Sequence, residues 1–240
     1  MVWSSDIPVS VIKDVRSRLE KSLDVFYDDF CSVMDDVFKF HFELRPKIIV
    51  ENLSFSEGMI LKTEAGKRNE IKVSSNHWED ILGFDCEDCF QRWVNTKKFI
   101  LGHELGHLYH YNINPEIYNK CDFDERMKQG NIWLLGEIVA DLSSLLYFSD
   151  KEIKSHVVDF AYINGGKNIG CMADRIIFEH GNNTGNFLYY LSGCDIYEGD
   201  KILSPYKKYL DNCYQDSSKL YFGMCDHKEF ISDYRQLSLF

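Results

Sequence analysis

Apolar residues recur at spacings of three and four through the first part of the chain. Val11, Val15, Leu19, Leu23, Phe26, Phe30, Val33, Val37 and Phe40 form one stripe, and the pattern predicts a helix over residues 7–42. Asp6 offers a cap, and Pro8 suits the first turn, where a missing N–H costs nothing. So long and aromatic a stripe predicts packing on a large core. Three short runs follow, residues 47–53 (KIIVENL), 58–63 (GMILKT) and 70–75 (EIKVSS), which read as strands. The last two are joined by the polar, turn-like stretch Glu64-Ala65-Gly66-Lys67-Arg68-Asn69, and such short connections predict a small, largely antiparallel sheet. From Phe90 onward the pattern turns helical, over residues 90–112, 131–149, 151–163, 168–180 and 201–213. Gly165-Gly166 and Gly181-Asn182-Asn183 act as breakers between them. With no repeat, low-complexity tract or Pro/Gly/Ser linker, the expectation is one α+β domain over residues 1–240. It divides into an N-terminal helix (1–45), a central core (46–150) and a helical C-terminal part (151–240).

Composition adds exclusions. An apolar share of 45% in 240 residues suits a buried core and argues against disorder. A net charge of −11 gives a surface that repels phosphate backbones, so neither nucleic acid nor an anionic membrane is an expected partner. Residues 1–8 carry no basic region followed by an apolar one, and the longest apolar stretch, 132–148, is interrupted by Glu137 and Asp141, two acids that lipid would penalise. A cytoplasmic protein with reduced thiols is the expectation for its eight cysteines. Cys86 and Cys89 have zinc-knuckle spacing but lack a second pair, so they read as ordinary thiols.

The two acids matter because of what precedes them. His103-Glu104-Leu105-Gly106-His107 is an H-E-x-x-H motif inside a predicted helix. Residues four apart share a helix face, so His103 and His107 aim two imidazoles at one point. Zinc takes such nitrogen ligands and keeps one position open for water in catalytic sites. Glu104, one residue round from His103, stands where a base for that water is needed. Chance is a poor explanation, since composition alone gives about 0.02 such matches in a chain of this length. A third ligand is still required. A continuation with Gly at position 110 and His at 113 is absent, the chain having His110 and Ile113. Glu137 and Asp141 instead lie four apart on an otherwise apolar helix, and buried carboxylates need a cation or a donor. Glu137 on the metal and Asp141 accepting the outer N–H of a ligand histidine would satisfy both. Pairing with Arg or Lys in the core is the alternative. Glu116, Asp122, Asp124 and Glu125 compete from a polar connector without apolar periodicity.

Residues 98–110 (KFILGHELGHLYH) resemble the active-site helix of the ImmA/IrrE metallopeptidases, and residues 137–146 (EIVADLSSLL) resemble that family's second helix, with its E-x-x-A-N/D pattern. The resemblance covers roughly residues 46–181 and is specific at those two motifs. It implies a zincin-like fold, a zinc ion on His103, His107 and Glu137, and regulated cleavage of a protein, often a DNA-binding repressor encoded nearby in mobile elements or stress-response systems. Two departures stand out: Phe148-Ser149-Asp150 lies where the family often has Pro, and the connector between His107 and Glu137 is long.

A metal-bearing regulatory module that binds without hydrolysis is the competing expectation, and an intracellular toxin or effector protease is a third. Glu104 favours an enzyme, because a scaffold has no use for a base. Tyr109, Tyr111, Arg175 and His180 are candidates to stabilise a developing oxyanion. His110 reads as helix surface near the site.

Overall fold

The computed structural model describes residues 9–51, 58–62, 68–75, 87–119, 130–150, 163–164 and 167–211. Helix α1 spans Val9–Phe38, and Asp6 and Pro8 lie outside the described residues. Its stripe is the one the spacing predicts: Leu19, Leu23, Phe26 and Phe30 are buried, and Val15, Val33, Val37 and Phe40 pack against the same core. The helix stops sooner than expected because Lys39 adopts a left-handed conformation with φ 54°. That reversal lets Phe40 and Phe42 fold back onto Tyr109.

Strands β1 (Lys47–Glu51), β2 (Gly58–Lys62) and β3 (Arg68–Ser74) form a sheet in the order β1–β3–β2. The β2–β3 ladder is antiparallel, with Ile60 opposite Ile71, as short connections demand. The β1–β3 ladder is parallel, with Val50 opposite Val73. The sheet is therefore mixed rather than largely antiparallel. Its physical reason is the insertion of β3 between the other two, which buries Ile71 and Val73 completely in the central strand.

Two long helices follow. α2 spans Glu87–Ile113 and α4 spans Gly130–Asp150, separated by the short α3, Pro115–Asn119. β2 and β3 pack on α2, and β1 packs on α1. A two-residue ladder, β4 (Ile163–Asn164) with β5 (Lys167–Asn168), replaces the end of the helix expected over 151–163, whose remainder lies outside the described residues. α5 (Ile169–His180) matches its expected bounds almost to the residue. A 3-10 turn, Gly181–Asn183, leads into α6, Thr184–Gly193. The segment expected as one helix over 201–213 is broken: α7 (Ile196–Leu203), a 3-10 turn with Pro205 in its first positions (Ser204–Tyr206), then α8 (Lys208–Asp211). Asp195 caps α7 by accepting from the backbone N–H groups of Tyr197 and Glu198. The fold class is α+β, mostly helical, and no helix among the described residues is long and apolar enough to cross a membrane.

The closest helix pair is α2 with α4. Gly106 faces the backbone of Ala140 and Gly102 faces Ser144, so the two helices run antiparallel with little side chain between them. Ser144 Oγ donates to Phe99 O across the gap at 2.9 Å. Phe99 and Phe148 close one end, their rings 6.3 Å apart.

Candidate metal centre

The α2 sequence surrounds its motif with large apolar residues, and Phe99, Leu101, Leu105 and Leu108 are buried. Such a helix is held on several sides, so its histidines are fixed in direction. His103 and His107 lie on successive turns and their Nε2 atoms stand 3.1 Å apart. From α4, Glu137 brings Oε2 to 3.4 Å from His103 Nε2 and Oε1 to 3.5 Å from His107 Nε2. Ligand atoms of the three residues all lie within 4.8 Å of one another, a group that could hold a metal ion.

Asp141, one turn beyond Glu137, is completely buried and accepts from His103 Nδ1 at 2.7 Å. That bond places the proton on Nδ1 and leaves the Nε2 lone pair facing Glu137 and His107. Two imidazole nitrogens and a carboxylate thus converge, with a second carboxylate behind them. This set of two imidazoles and a carboxylate fits a borderline divalent metal that takes nitrogen and oxygen ligands. Asp141 Oδ2 is buried and makes no hydrogen bond among the described residues.

Electrostatics point the same way. Burial alone would push the His103 imidazole down, but its hydrogen bonds to Asp141 and Glu137 reverse this and raise its pKa well above the usual histidine value. Burial raises the Asp141 carboxyl, against the opposing pull of His103. Glu104 is buried beside the group, and desolvation pushes its carboxyl up to about 7, with His103 lowering it and Glu137 raising it. A carboxyl poised there can both take and return a proton near neutral pH.

The other sequence candidates lie elsewhere. His110 is not helix surface: it is fully buried against the backbone of Ser192, and burial lowers its pKa to about 3. Tyr109 points to the α1 side, where its hydroxyl donates to Asp35. Arg175 pairs with Glu179 at 2.7 Å, and His180 stacks on Phe187 and reaches the Tyr206 hydroxyl. Tyr111 is half-buried against the core. Glu116 is exposed on α3, and Asp122, Asp124, Glu125, Cys86 and the Cys89 side chain lie outside the described residues. Cys31 and Cys194 are free thiols. Cys171 is disulfide-bonded, so the expectation of reduced cysteines does not hold there, and its partner lies outside the described side chains.

Pattern reading passed over the small residues between the two site helices. Gly102 and Gly106 gave a usable signal, because each glycine inside a helix costs about 1 kcal/mol relative to alanine. Two of them four apart in an otherwise well-formed helix ask for a packing reason.

No family model matches the chain, and no curated protein or solved structure matches it either.

Proposed function

We propose that this chain is a zinc-dependent endopeptidase that cleaves a regulatory protein at a specific site, with a DNA-binding repressor as the substrate class that its resemblance to the ImmA/IrrE metallopeptidases implies. The observation that carries the reading is the convergence of His103, His107 and Glu137 with the buried Glu104 carboxyl beside them. His103 and His107 would hold the ion through Nε2 and Glu137 through its carboxylate. Zinc bound there supplies Lewis acidity toward a peptide carbonyl and acidifies water. Glu104 takes the proton of the attacking water and delivers it to the leaving amine. Asp141 fixes the His103 ring and its tautomer, and the apolar shell of α2 and α4 excludes bulk solvent from behind the ligands. The zincin-like arrangement belongs to the same proposal.

Glu104→Gln tests it directly. Glutamine keeps the shape and is outside the ligand set, so zinc content stays near that of the wild type, while cleavage of the protein substrate falls by roughly 10²–10⁴-fold. Candidate repressors serve as substrates, since small generic peptides lack a folded recognition surface. Wild-type cleavage by the Glu104→Gln protein excludes hydrolysis at this site. Equal partner binding by both proteins with no cleavage by either favours the regulatory module instead.

A further inference from the structure

We propose that Gly102 and Gly106 are positioning residues for the metal: they hold α4 close enough to α2 for Glu137 and Asp141 to meet His103 and His107. The inference rests on the metal reading of the His103–His107–Glu137 group.

The argument is geometric. On α2, Gly106 lies three residues after His103 and one before His107. On α4, Ala140 lies three residues after Glu137 and one before Asp141. The point of closest helix approach is therefore flanked by every metal-facing group on both helices. A methyl group on Gly106 would come within 2.8 Å of Ala140 Cα and 3.0 Å of Ala140 O. These are backbone atoms, so no rotamer change relieves the clash and the helices must separate. Ordinary carbon contacts lie at about 3.5–4.0 Å, so the displacement needed is about 0.7–1.2 Å. Functional constellations tolerate about 0.5 Å. Helix separation at this point carries Glu137 and Asp141 away from both histidines.

Gly102 differs in what opposes it. A methyl there would meet Ser144 Oγ at 2.7 Å, with Phe30 at 3.1 Å and Phe26 at 3.3 Å. All three are side-chain atoms. Removing the Ser144 hydroxyl clears the tightest contact, at the loss of its hydrogen bond to Phe99 O. Glycine at either place also lowers helix propensity, so alanine would be preferred there if local stability alone decided. Gly185 of α6 is the useful contrast, because its nearest neighbour, Val37, would lie 3.5 Å from an added methyl.

The experiment measures zinc affinity by chelator competition and the visible spectrum of the cobalt-substituted protein, with thermal unfolding of the metal-free form alongside. Gly106→Ala is expected to weaken affinity by about 10–100-fold, the range for disturbing groups that orient metal ligands, and to alter the cobalt spectrum. Gly102→Ala weakens it less, and the Gly102→Ala/Ser144→Ala double variant recovers part of that loss; a shifted cobalt spectrum at temperatures where thermal unfolding shows each variant fully folded separates a displaced ligand set from a general loss of stability. Gly185→Ala leaves affinity and spectrum at wild-type values. If Gly106→Ala does not fold, the Gly102 and Ser144 series decides. Wild-type affinity and spectrum in the glycine variants, or no recovery in the double variant, overturn the inference while leaving the metal reading intact. A wild-type protein that binds no zinc or cobalt overturns both.

Discussion

Helix α2 carries buried polar groups on two sides, and the two sides are built differently. Toward α1, each carboxylate meets a neutral donor: the Tyr109 hydroxyl donates to Asp35 at 2.5 Å, and the Tyr147 hydroxyl of α4 donates to Asp29 at 2.6 Å. Aromatic rings surround them, with Phe38 stacked on Tyr109 at 4.8 Å and Phe26 edge-on to Tyr147 at 5.0 Å. Donors and acceptors balance, and the arrangement explains itself as structure. Toward α4, His103, His107 and Glu137 bring metal-ligating nitrogen and oxygen atoms to one point. Ligand atoms of the three lie within 4.8 Å of one another, a group that could hold a metal ion. The contrast shows why burial of polar groups by itself does not mark a functional site, whereas convergence of metal-ligating groups from two helices on one point does.

The strongest way to break this contrast is to remove a converging metal-ligating group. His103→Ala or His107→Ala is expected to abolish tight metal binding, with about one zinc per wild-type chain falling to none by metal analysis. Glu137→Gln should lose metal as well as activity, unlike Glu104→Gln. Two tightly held zinc ions persisting in the histidine variants would mean that the site lies elsewhere. Asp141→Ala comes next, weakening zinc affinity by roughly 10–100-fold because His103 loses the acceptor that sets its tautomer. Full metal content and affinity in that variant would make Asp141 a structural carboxylate, like Asp35.

The metal face was largely legible because its information is local. H-E-x-x-H and E-x-x-x-D each place two groups on one helix face, and four-residue spacing survives any tertiary arrangement. That the two helices meet was inferred from the penalty on buried carboxylates, and the distances bear that inference out. What failed was non-local or hidden by composition. Parallel pairing of β1 with β3 depends on a partner across an intervening strand, which no short-range pattern records. α6 went unpredicted because Phe187-Leu188-Tyr189-Tyr190 is a contiguous aromatic run with no readable period, although Leu188 is buried and Tyr189 and Tyr190 are exposed. His110 was misplaced for a related reason: α2 is covered on its far side by α6, so a position that reads as surface is interior.

A third buried carboxylate sharpens the comparison. Asp174 of α5 is 5% exposed, and burial pushes its carboxyl up to about 6, with only partial relief from Arg175. A buried carboxylate so weakly supported favours a proton. Its folded pKa lies above the usual 3.8, so the folded state binds the extra proton and stability falls as pH rises from about 4 through about 6, the loss being complete above that. A shift of this size amounts to about 1–3 kcal/mol. Asp174→Asn is therefore expected to raise stability at pH 8 by up to that amount and to gain almost nothing at pH 4, as read by urea unfolding at both values. A gain of equal size at the two pH values would show that packing, not charge, governs the position.

The smallest effect belongs to the α1 side, where the structural reading can be attacked without touching the metal. Tyr109→Phe keeps the ring and its contacts with Phe38 and Phe42 and deletes only the hydroxyl. A hydrogen bond to a charged acceptor is worth about 1.5–3 kcal/mol, but Asp35 is 24% exposed and keeps His41 at 2.5 Å, so water and imidazole recover part of it. The expected net loss is about 1 kcal/mol, a fall in Tm of about 2–4 °C for a chain of this size. Zinc affinity should stay at the wild-type value, because the hydroxyl faces α1 while the ligands face α4. A tenfold drop in metal affinity with so small a change in Tm would show that the two sides of α2 are mechanically coupled, and the division between a structural face and a metal face would have to be abandoned.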